Sequence, residues 1–346
     1  MGEPPIGRHQ TYGEAAFGGS GGFDNNDTVS AMRIAVLVLD GAFDTGLAAI
    51  SDTLAIANAL AAPARPPFTV TRIGVRRRVT TGHGLVVPLD ELPRRAPDLV
   101  VVPALGAKTP AALDAMLERP DVRDATQMLA TWAARGTPVA GACTATFMLG
   151  AAALLDAQPA TTTWWLAAAF RERFPKVKLD ETRMLVEAGS VITAGAALAH
   201  LDLALWIVRA KSPSLARVTG RHLVFDQRPS QGAYALPHHV AHTDALVERF
   251  ELWSKANLTS FSLADAARAV GASQRTLERR VHDVLGKSPL AFIQDLRVAN
   301  ALDQLETTER TIEEIATRVG YQSGATLRVL LRKRTGRGVR ELRARG

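Results

Sequence analysis

Cysteine is nearly absent from this 346-residue chain, and its one thiol, Cys143, has no second cysteine to pair with. The sequence therefore excludes an intrachain disulfide framework and a zinc site built from several cysteines, and it fits the reducing cytoplasm. Long apolar runs are lacking too, because no stretch reaches the about 18 residues that a membrane span needs. The first 31 residues also lack the apolar core of a signal peptide. We therefore expect a cytoplasmic protein without a membrane partner.

Most of the chain also lacks excess charge of either sign. Residues 257–346 contain 16 Lys and Arg against 10 Asp and Glu, whereas the rest of the chain contains 25 against 24. A basic excess confined to one segment is typical of a nucleic-acid-binding module beside a neutral domain. A solvated helical tail would give the same excess, so charge alone leaves both interpretations open.

The first part of the chain alternates strand and helix patterns. Residues 34–39 and 99–102 are continuous apolar runs, as in strands buried on both faces, and 68–73 alternates. This order predicts an α/β fold, a flavodoxin-like and mostly parallel sheet with helices on both faces. Helices are predicted at about 47–60, 110–118, 121–134, 144–155, 164–172, 196–210 and 239–255, a short strand at 138–140 and a hairpin near 183–193.

The composition also suggests domain boundaries. We predict a disordered, glycine-rich tail at 1–31, an α/β domain at 32–215, a connection with a linker helix at 216–256, and an all-α domain at 257–346.

The all-α segment repeats one design at an interval of 49–50 residues. In the first copy Ser262 is suited to cap a helix with one apolar face, Gly271 permits a sharp turn, and Ser273 is suited to cap a second helix. In the second copy Thr311 and Glu314 form a capping box, Gly320 turns the chain and Ser323 caps. A longer helix from about Pro289 to Leu305 joins the copies. Each copy is thus predicted to be a helix-turn-helix unit, which presents its second helix to the major groove of double-stranded DNA.

The outer faces of both second helices carry residues suited to DNA. The candidates are Gln274, Arg275, Glu278, Arg279 and His282 in the first copy, and Gln322, Ser323, Thr326, Arg328, Arg332 and Lys333 in the second. Glutamine pairs with adenine and arginine with guanine, whereas the cations of the second copy suit phosphates better. A plain helical bundle with a solvated basic face, or a module that recruits protein, remains an alternative.

Residues 257–346 resemble the DNA-binding domain of the AraC/XylS family, which contains two such units joined by a long helix. The matching segments are 263–267, 273–277, 296–297 and 315–321. The resemblance implies a transcriptional regulator that binds DNA as a homodimer.

Cys143 follows a predicted buried strand and precedes a predicted helix. The free N–H groups of a first helical turn favour a thiolate, and this placement is that of a nucleophile elbow at the carboxyl end of a parallel sheet. A small thiol buried in the core is the alternative.

Residues 33–210 resemble the PfpI-like branch of the class I glutamine-amidotransferase-like superfamily, in the GlxA-type form fused to an AraC-type module. The matching positions are Asp44 and the segments 103–106, 141–145, 154–156, 162–164, 193–195 and 201–205. The resemblance implies a pocket that senses a small molecule, with no cofactor. Its candidate residues are Cys143, Thr144, Asp44, Gly106 and Thr163.

Catalysis and metal binding are not expected. Thr163 stands where the family has a histidine, so the thiol lacks an evident base. A Cys143-dependent hydrolase or hydratase is kept as the alternative. His238 and His242 would share a helix face, but no third ligand completes a metal site.

Overall fold

The computed structural model describes residues 30–61, 66–226, 228, 230–232, 244–335 and 337–343. Most of the predicted tail, and also His238 and His242, lie outside the described residues. The chain divides into two compact units. The first comprises Met1–Gly106, Arg119–Leu154 and Leu185–Arg228, and the second comprises Ala107–Glu118, Leu155–Met184 and Pro229–Gly346. The predicted domain boundaries at 215 and 256 stay predictions.

The secondary structure of the described ranges begins with strands and ends with helices. In chain order the elements are β1 (Met32–Leu37), α1 (Asp44–Leu60), β2 (Phe68–Ile73), β3 (Arg78–Thr80), β4 (Val86–Pro88), β5 (Leu99–Val102), α2 (Pro110–Leu117), α3 (Pro120–Ala134), β6 (Val139–Ala142), α4 (Ala145–Ala151), β7 (Pro159–Ala160), a 3₁₀ turn (Trp164–Leu166), α5 (Ala167–Arg173), β8 (Lys178–Leu179), β9 (Leu185–Ala188), β10 (Val191–Ala194), α6 (Ala199–Lys211), α7 (Pro213–His222), α8 (Ala245–Ala256), α9 (Leu263–Ala269), α10 (Gln274–Leu285), α11 (Pro289–Thr307), α12 (Ile312–Arg318), α13 (Gly324–Thr335) and α14 (Val339–Arg343). Among these described helices, none is both long and apolar enough to cross a membrane.

The first unit is built on one main sheet. Among the described residues six strands form it, in the order β2, β1, β5, β6, β10, β9, and all neighbours are parallel except β9 and β10. Counted along the parallel strands alone, this is the 2-1-3-4-5 order of flavodoxin-like sheets. The residues of β5 and β6 and residues 34–37 of β1 are all buried, so both faces of the sheet are covered. The predicted α/β fold is confirmed.

Two elements of the first unit differ from the sequence prediction. Helix α7 is not among the predicted helices. Its buried residues, Ala216, Thr219 and Gly220, are small or polar and give no apolar stripe in the sequence. Its start is nevertheless encoded: Ser212 accepts a hydrogen bond from the Leu215 N–H, and Pro213 occupies the first helical position. The hairpin of β3 and β4 was also missed, since each strand has three residues, too few for a clear alternation.

The carboxy-terminal part of the second unit contains two separate apolar cores. The first core is formed by residues of α8, α9, α10 and the start of α11, and the second by residues of the end of α11 and of α12, α13 and α14. Helix α11 thus passes through both cores, as the predicted joining helix should. The prediction of two helix-turn-helix units joined by a long helix is confirmed.

Candidate nucleic-acid interface and α/β pocket

The first helix-turn-helix unit consists of α9, a glycine turn and α10. Ser262 caps α9 by accepting a hydrogen bond from the Asp265 N–H, and Ser273 caps α10 by accepting one from the Thr276 N–H. Gly271 between them has a φ of +71°, a conformation that L-residues rarely adopt. The structure therefore forms the predicted turn by the predicted means.

The side of α10 that faces away from the core carries the predicted residues. Leu277 and Val281 are fully buried in the first core. The opposite face exposes Gln274, Arg275, Glu278, Arg279 and His282. Among the described residues, Arg275 and Arg279 have no ion-pair partner, so both guanidinium groups are available to a ligand.

Arg280, on the same helix, has a different environment. Its guanidinium contacts the carboxylate of Asp244, which is 8% exposed and caps α8 by accepting hydrogen bonds from the N–H groups of Leu246 and Val247. This arginine therefore has a structural partner.

The second helix-turn-helix unit repeats the design of the first, but the cap of its first helix has hydrogen bonds in both directions. The Thr311 hydroxyl accepts from the Glu314 N–H at 3.3 Å, and the Glu314 carboxylate accepts from the Thr311 N–H at 2.7 Å. The hydrogen bonds from Thr311 hold the pKa of Glu314 below its ordinary value, so this carboxylate stays charged. Gly320 then turns the chain with a φ of +89°. The predicted capping box is confirmed.

The outer face of α13 exposes the remaining predicted residues. Gln322, Ser323, Thr326, Arg328, Arg332 and Lys333 are all exposed. The Ser323 hydroxyl accepts a hydrogen bond from the Thr326 N–H at 3.4 Å, so it also has the predicted capping position. Arg328 lies 2.7 Å from a carboxylate oxygen of Glu313 on α12, which gives it a partner within the unit.

Two polar residues of α11 hold neighbouring segments: Asp295 is not among the sequence candidates, whereas Arg297 lies in the matching segment 296–297 but has no role assigned there. Asp295, whose side chain is 14% exposed, bonds Lys287 Nζ at 3.0 Å, just after α10, and Arg334 Nη2 at 2.5 Å, near the end of α13. Arg297 donates two hydrogen bonds, of 3.0 and 2.9 Å, to the Leu258 carbonyl. Asp295 thus joins the end of α10 to the end of α13, and Arg297 joins the loop before α9 to α11. An acid and an arginine inside a largely apolar helix were the available signal.

Cys143 lies at the junction of β6 and α4, as predicted. Its φ is +56°, an uncommon value for a residue other than glycine, and its side chain is 5% exposed. The Cys143 N–H donates to the Ala194 carbonyl at the end of the neighbouring strand β10. Backbone strain at such a junction is a feature of nucleophile elbows and ligand clamps. The predicted elbow geometry is therefore present, around a buried thiol.

Hydrogen bonds join the loops that follow β1, β5 and β6, three adjacent strands. The buried Thr144 hydroxyl accepts from the Leu105 N–H at 2.9 Å and donates to the Leu105 carbonyl at 2.6 Å. The Gly106 N–H donates to the Gly41 carbonyl at 2.8 Å. Three of the predicted pocket residues, Thr144, Gly106 and Cys143, thus lie at the carboxyl edge of the sheet, where ligands bind in open α/β folds.

Asp44, the first residue of α1, has its own partners at this edge. Its carboxylate accepts hydrogen bonds from the Thr81 hydroxyl, from the His83 N–H at 3.1 Å, and lies 2.8 Å from His83 Nδ1. Burial would raise the pKa of Asp44, but the bonds from Thr81 and His83 outweigh it and hold the pKa below its ordinary value. Such a carboxylate is a weak base.

His200 supports the same loops, and sequence reasoning missed it. Its Nε2 accepts from the Ala104 N–H at 3.0 Å, and its Nδ1 donates to the Ala197 carbonyl at 2.5 Å. Complete burial lowers the pKa of His200 to about 4, although the bond to Ala197 raises it. The imidazole is therefore neutral near pH 7. A Cβ on Gly46 would lie 2.6 Å from this ring, so that position requires glycine.

Thr163, the remaining predicted pocket residue, belongs to the second of the two compact units of the chain, in its segment Leu155–Met184. It is fully buried, directly before the 3₁₀ turn, and its hydroxyl has no hydrogen-bond partner among the described residues. Its role stays a prediction.

Comparison with known proteins identifies relatives of both parts of the chain. A helix-turn-helix domain family matches residues 266–345. The HTH-type transcriptional regulator GbdR of Pseudomonas aeruginosa is 26% identical over 237 residues, which cover 65% of this chain and 64% of GbdR. The HTH-type transcriptional regulator GlxA of Rhizobium meliloti is 28% identical over 195 residues, which cover 55% of this chain and 60% of GlxA. A solved AraC family transcriptional regulator from Pseudomonas putida is 24% identical and covers 55% of this chain and 98% of its own, with a TM-score of 0.47.

Both curated relatives match over more than the carboxy-terminal units. The alignments of 237 and 195 residues are longer than the segment 266–345, so each extends into the α/β part. The chain spans less than two thirds of the length of GbdR or of GlxA. Residues 266–345 thus match a helix-turn-helix domain family, and the chain is similar to the HTH-type transcriptional regulators GbdR and GlxA over a longer stretch that includes part of the α/β sequence.

Proposed function

We propose that the protein is a sequence-specific DNA-binding transcriptional regulator that acts as a homodimer in the cytoplasm. One observation carries the proposal. Helices α10 and α13 bury Leu277, Val281, Leu327 and Leu331 in separate cores and expose their polar and cationic faces. A second helix that is braced from behind and open in front is what entry into the major groove requires.

The two exposed faces suit different contacts. On α10 we propose that Arg275 and Arg279 bind guanine and that Gln274 binds adenine, with Glu278 and His282 at the edge of the same face. On α13 the contacts to phosphate are proposed for Arg332 and Lys333, supported by the polar side chains of Gln322, Ser323 and Thr326. Arg328, which forms an ion pair with Glu313, is proposed as a further DNA contact on this face.

Selection from a random-sequence duplex pool by the full-length chain tests this function. We expect one sequence to be enriched and bound in preference to a scrambled duplex of equal length. If about three or more cations contact phosphates, affinity should fall about 40-fold or more when salt rises from about 50 to about 200 mM. Equal affinity for both duplexes, or no shift even at low salt, would exclude this function and favour a module that binds protein.

We also propose that a small-molecule effector binds at the carboxyl edge of the sheet, near Cys143, Thr144, Asp44 and Gly106. The hydrogen-bonded loops described above support this proposal. A catalytic role for the thiol is disfavoured because Asp44, with its lowered pKa, is a poor general base.

Alkylation by iodoacetamide distinguishes this binding site from the hydrolase or hydratase alternative. Since Cys143 is 5% exposed, we expect slower alkylation in the folded chain than in the urea-unfolded chain at the same pH. Faster alkylation of the folded chain would reveal an activated thiolate and would favour catalysis.

A further inference from the structure

The centre of the outer face of α13 is apolar. Val329 is 68% exposed, although most large apolar side chains of helices α8–α14 lie in the two cores that these helices form. It is two residues from Leu327 and two from Leu331, both fully buried, and two residues turn an α-helix by about 200°. The valine therefore points directly away from the second core.

Polar and cationic residues surround this valine. Ala325 and Lys333 are four residues away, and Thr326 and Arg332 are three residues away, so all four are its neighbours on the helix surface. All four are exposed. The result is a small apolar centre with a cationic rim, which matches a groove floor that has an apolar group between two phosphate backbones.

The repeat assigns a position to this residue. Ser273 and Ser323, the caps of α10 and α13, are 50 residues apart, and so are Arg279 and Val329. Val329 on α13 thus occupies in the second helix-turn-helix unit the position that Arg279 on α10 occupies in the first. The first unit has a guanidinium at this place, whereas the second has a side chain without donors or acceptors.

We propose, on the basis of the DNA-binding function above, that Val329 selects thymine in the second half-site by contact with its 5-methyl group. A valine cannot hydrogen-bond a base edge, and in the major groove thymine alone presents a methyl group. Arg332 and Lys333 hold the helix against the phosphates, while Val329 supplies the apolar contact. The two units of one chain therefore recognise different bases by different chemistry.

Replacement of each thymine of the selected duplex by deoxyuridine, one at a time, tests the proposal with an unchanged protein. Deoxyuridine lacks only the methyl group. With the full-length chain we expect one thymine at which the replacement weakens binding about three- to fivefold, as burial of one methyl group predicts. In Val329→Ala the same replacement should have no effect. Val218→Ala, which removes an exposed valine on α7, should retain the full loss.

A swap gives a second result. Because Arg279 stands at the equivalent position, Val329→Arg should select guanine where the unaltered chain selects thymine. The proposal is overturned if the chain selects a duplex but Val329→Ala abolishes the effect of deoxyuridine at none of its thymines. The regulator function would then stand, and the exposed Val329 would be assigned to a protein contact. If no duplex is selected at all, the regulator function fails first and this proposal with it.

Discussion

We expect Arg279→Ala to lower the affinity for the selected duplex by about 5- to 150-fold and to leave the fold intact. Arg279 is exposed near the centre of the outer face of α10 and has no ion-pair partner among the described residues. A bidentate arginine–guanine contact is worth about 1–3 kcal/mol of discrimination, and alanine at an exposed helical position does not destabilise the helix. The measurement is the dissociation constant for the selected and for the scrambled duplex at one salt concentration. The preference for the selected over the scrambled duplex should fall by the same factor, because the other proposed base contacts remain.

Arg280→Ala is the matched control, since it removes the same charge from the same helix. Arg280 contacts Asp244, which is 8% exposed, so its loss leaves a mostly buried carboxylate without this partner. We expect lower stability to urea and an unchanged ratio of the two dissociation constants. If Arg279→Ala weakened binding to both duplexes by one factor, Arg279 would contact phosphate and the proposed base contact would be wrong.

We expect Gly320→Ala to destabilise the carboxy-terminal helix-turn-helix units by about 2–4 kcal/mol and Gly271→Ala by about 1 kcal/mol. Both glycines have positive φ, +89° and +71°, so each substitution strains the backbone. A Cβ on Gly271 meets nothing within 4 Å, but one on Gly320 would lie 2.9 Å from the Cα of Thr259 and 2.8 Å from Arg297 Nη2. Overpacking of this kind adds about 1–3 kcal/mol.

The neighbouring backbone has little freedom to yield, because Arg297 also holds the Leu258 carbonyl by two hydrogen bonds. Urea unfolding of the two variants measures the difference directly. Equal losses of unfolding free energy at the two glycines would mean that the turn at Gly320 does not pack against the loop before α9, and the contacts described around Arg297 would be wrong.

The sequence predicted the parts of the fold that local patterns encode. The bounds of β2 and β5 agree residue for residue with the alternation at 68–73 and the apolar run at 99–102. The caps at Ser262, Ser273 and Thr311 were predicted because a serine or threonine before an apolar stripe is a local signal. Helix α7 was missed because its buried face contains small and polar residues.

The parts of the site that depend on tertiary contacts were not predictable in the same way. Asp295 joins Lys287 and Arg334, partners that are 8 and 39 residues away, and no spacing rule connects them. His200 was missed because a histidine in an apolar helix gives no sign of the loop it will hold. Val329 gives no local signal either, because an apolar residue in an amphipathic helix is expected in the core, and only its exposure in the folded chain places it on the outer face of α13.

The central claim is that α10 and α13 contact two successive stretches of major groove from one side of the duplex. Methylation interference on the selected duplex, with the full-length chain, tests it most directly. For each bound chain we predict two clusters of contacts on one face of the DNA, about one helical turn or 10 base pairs apart. A single cluster, or interference spread evenly along the duplex, would contradict the claim.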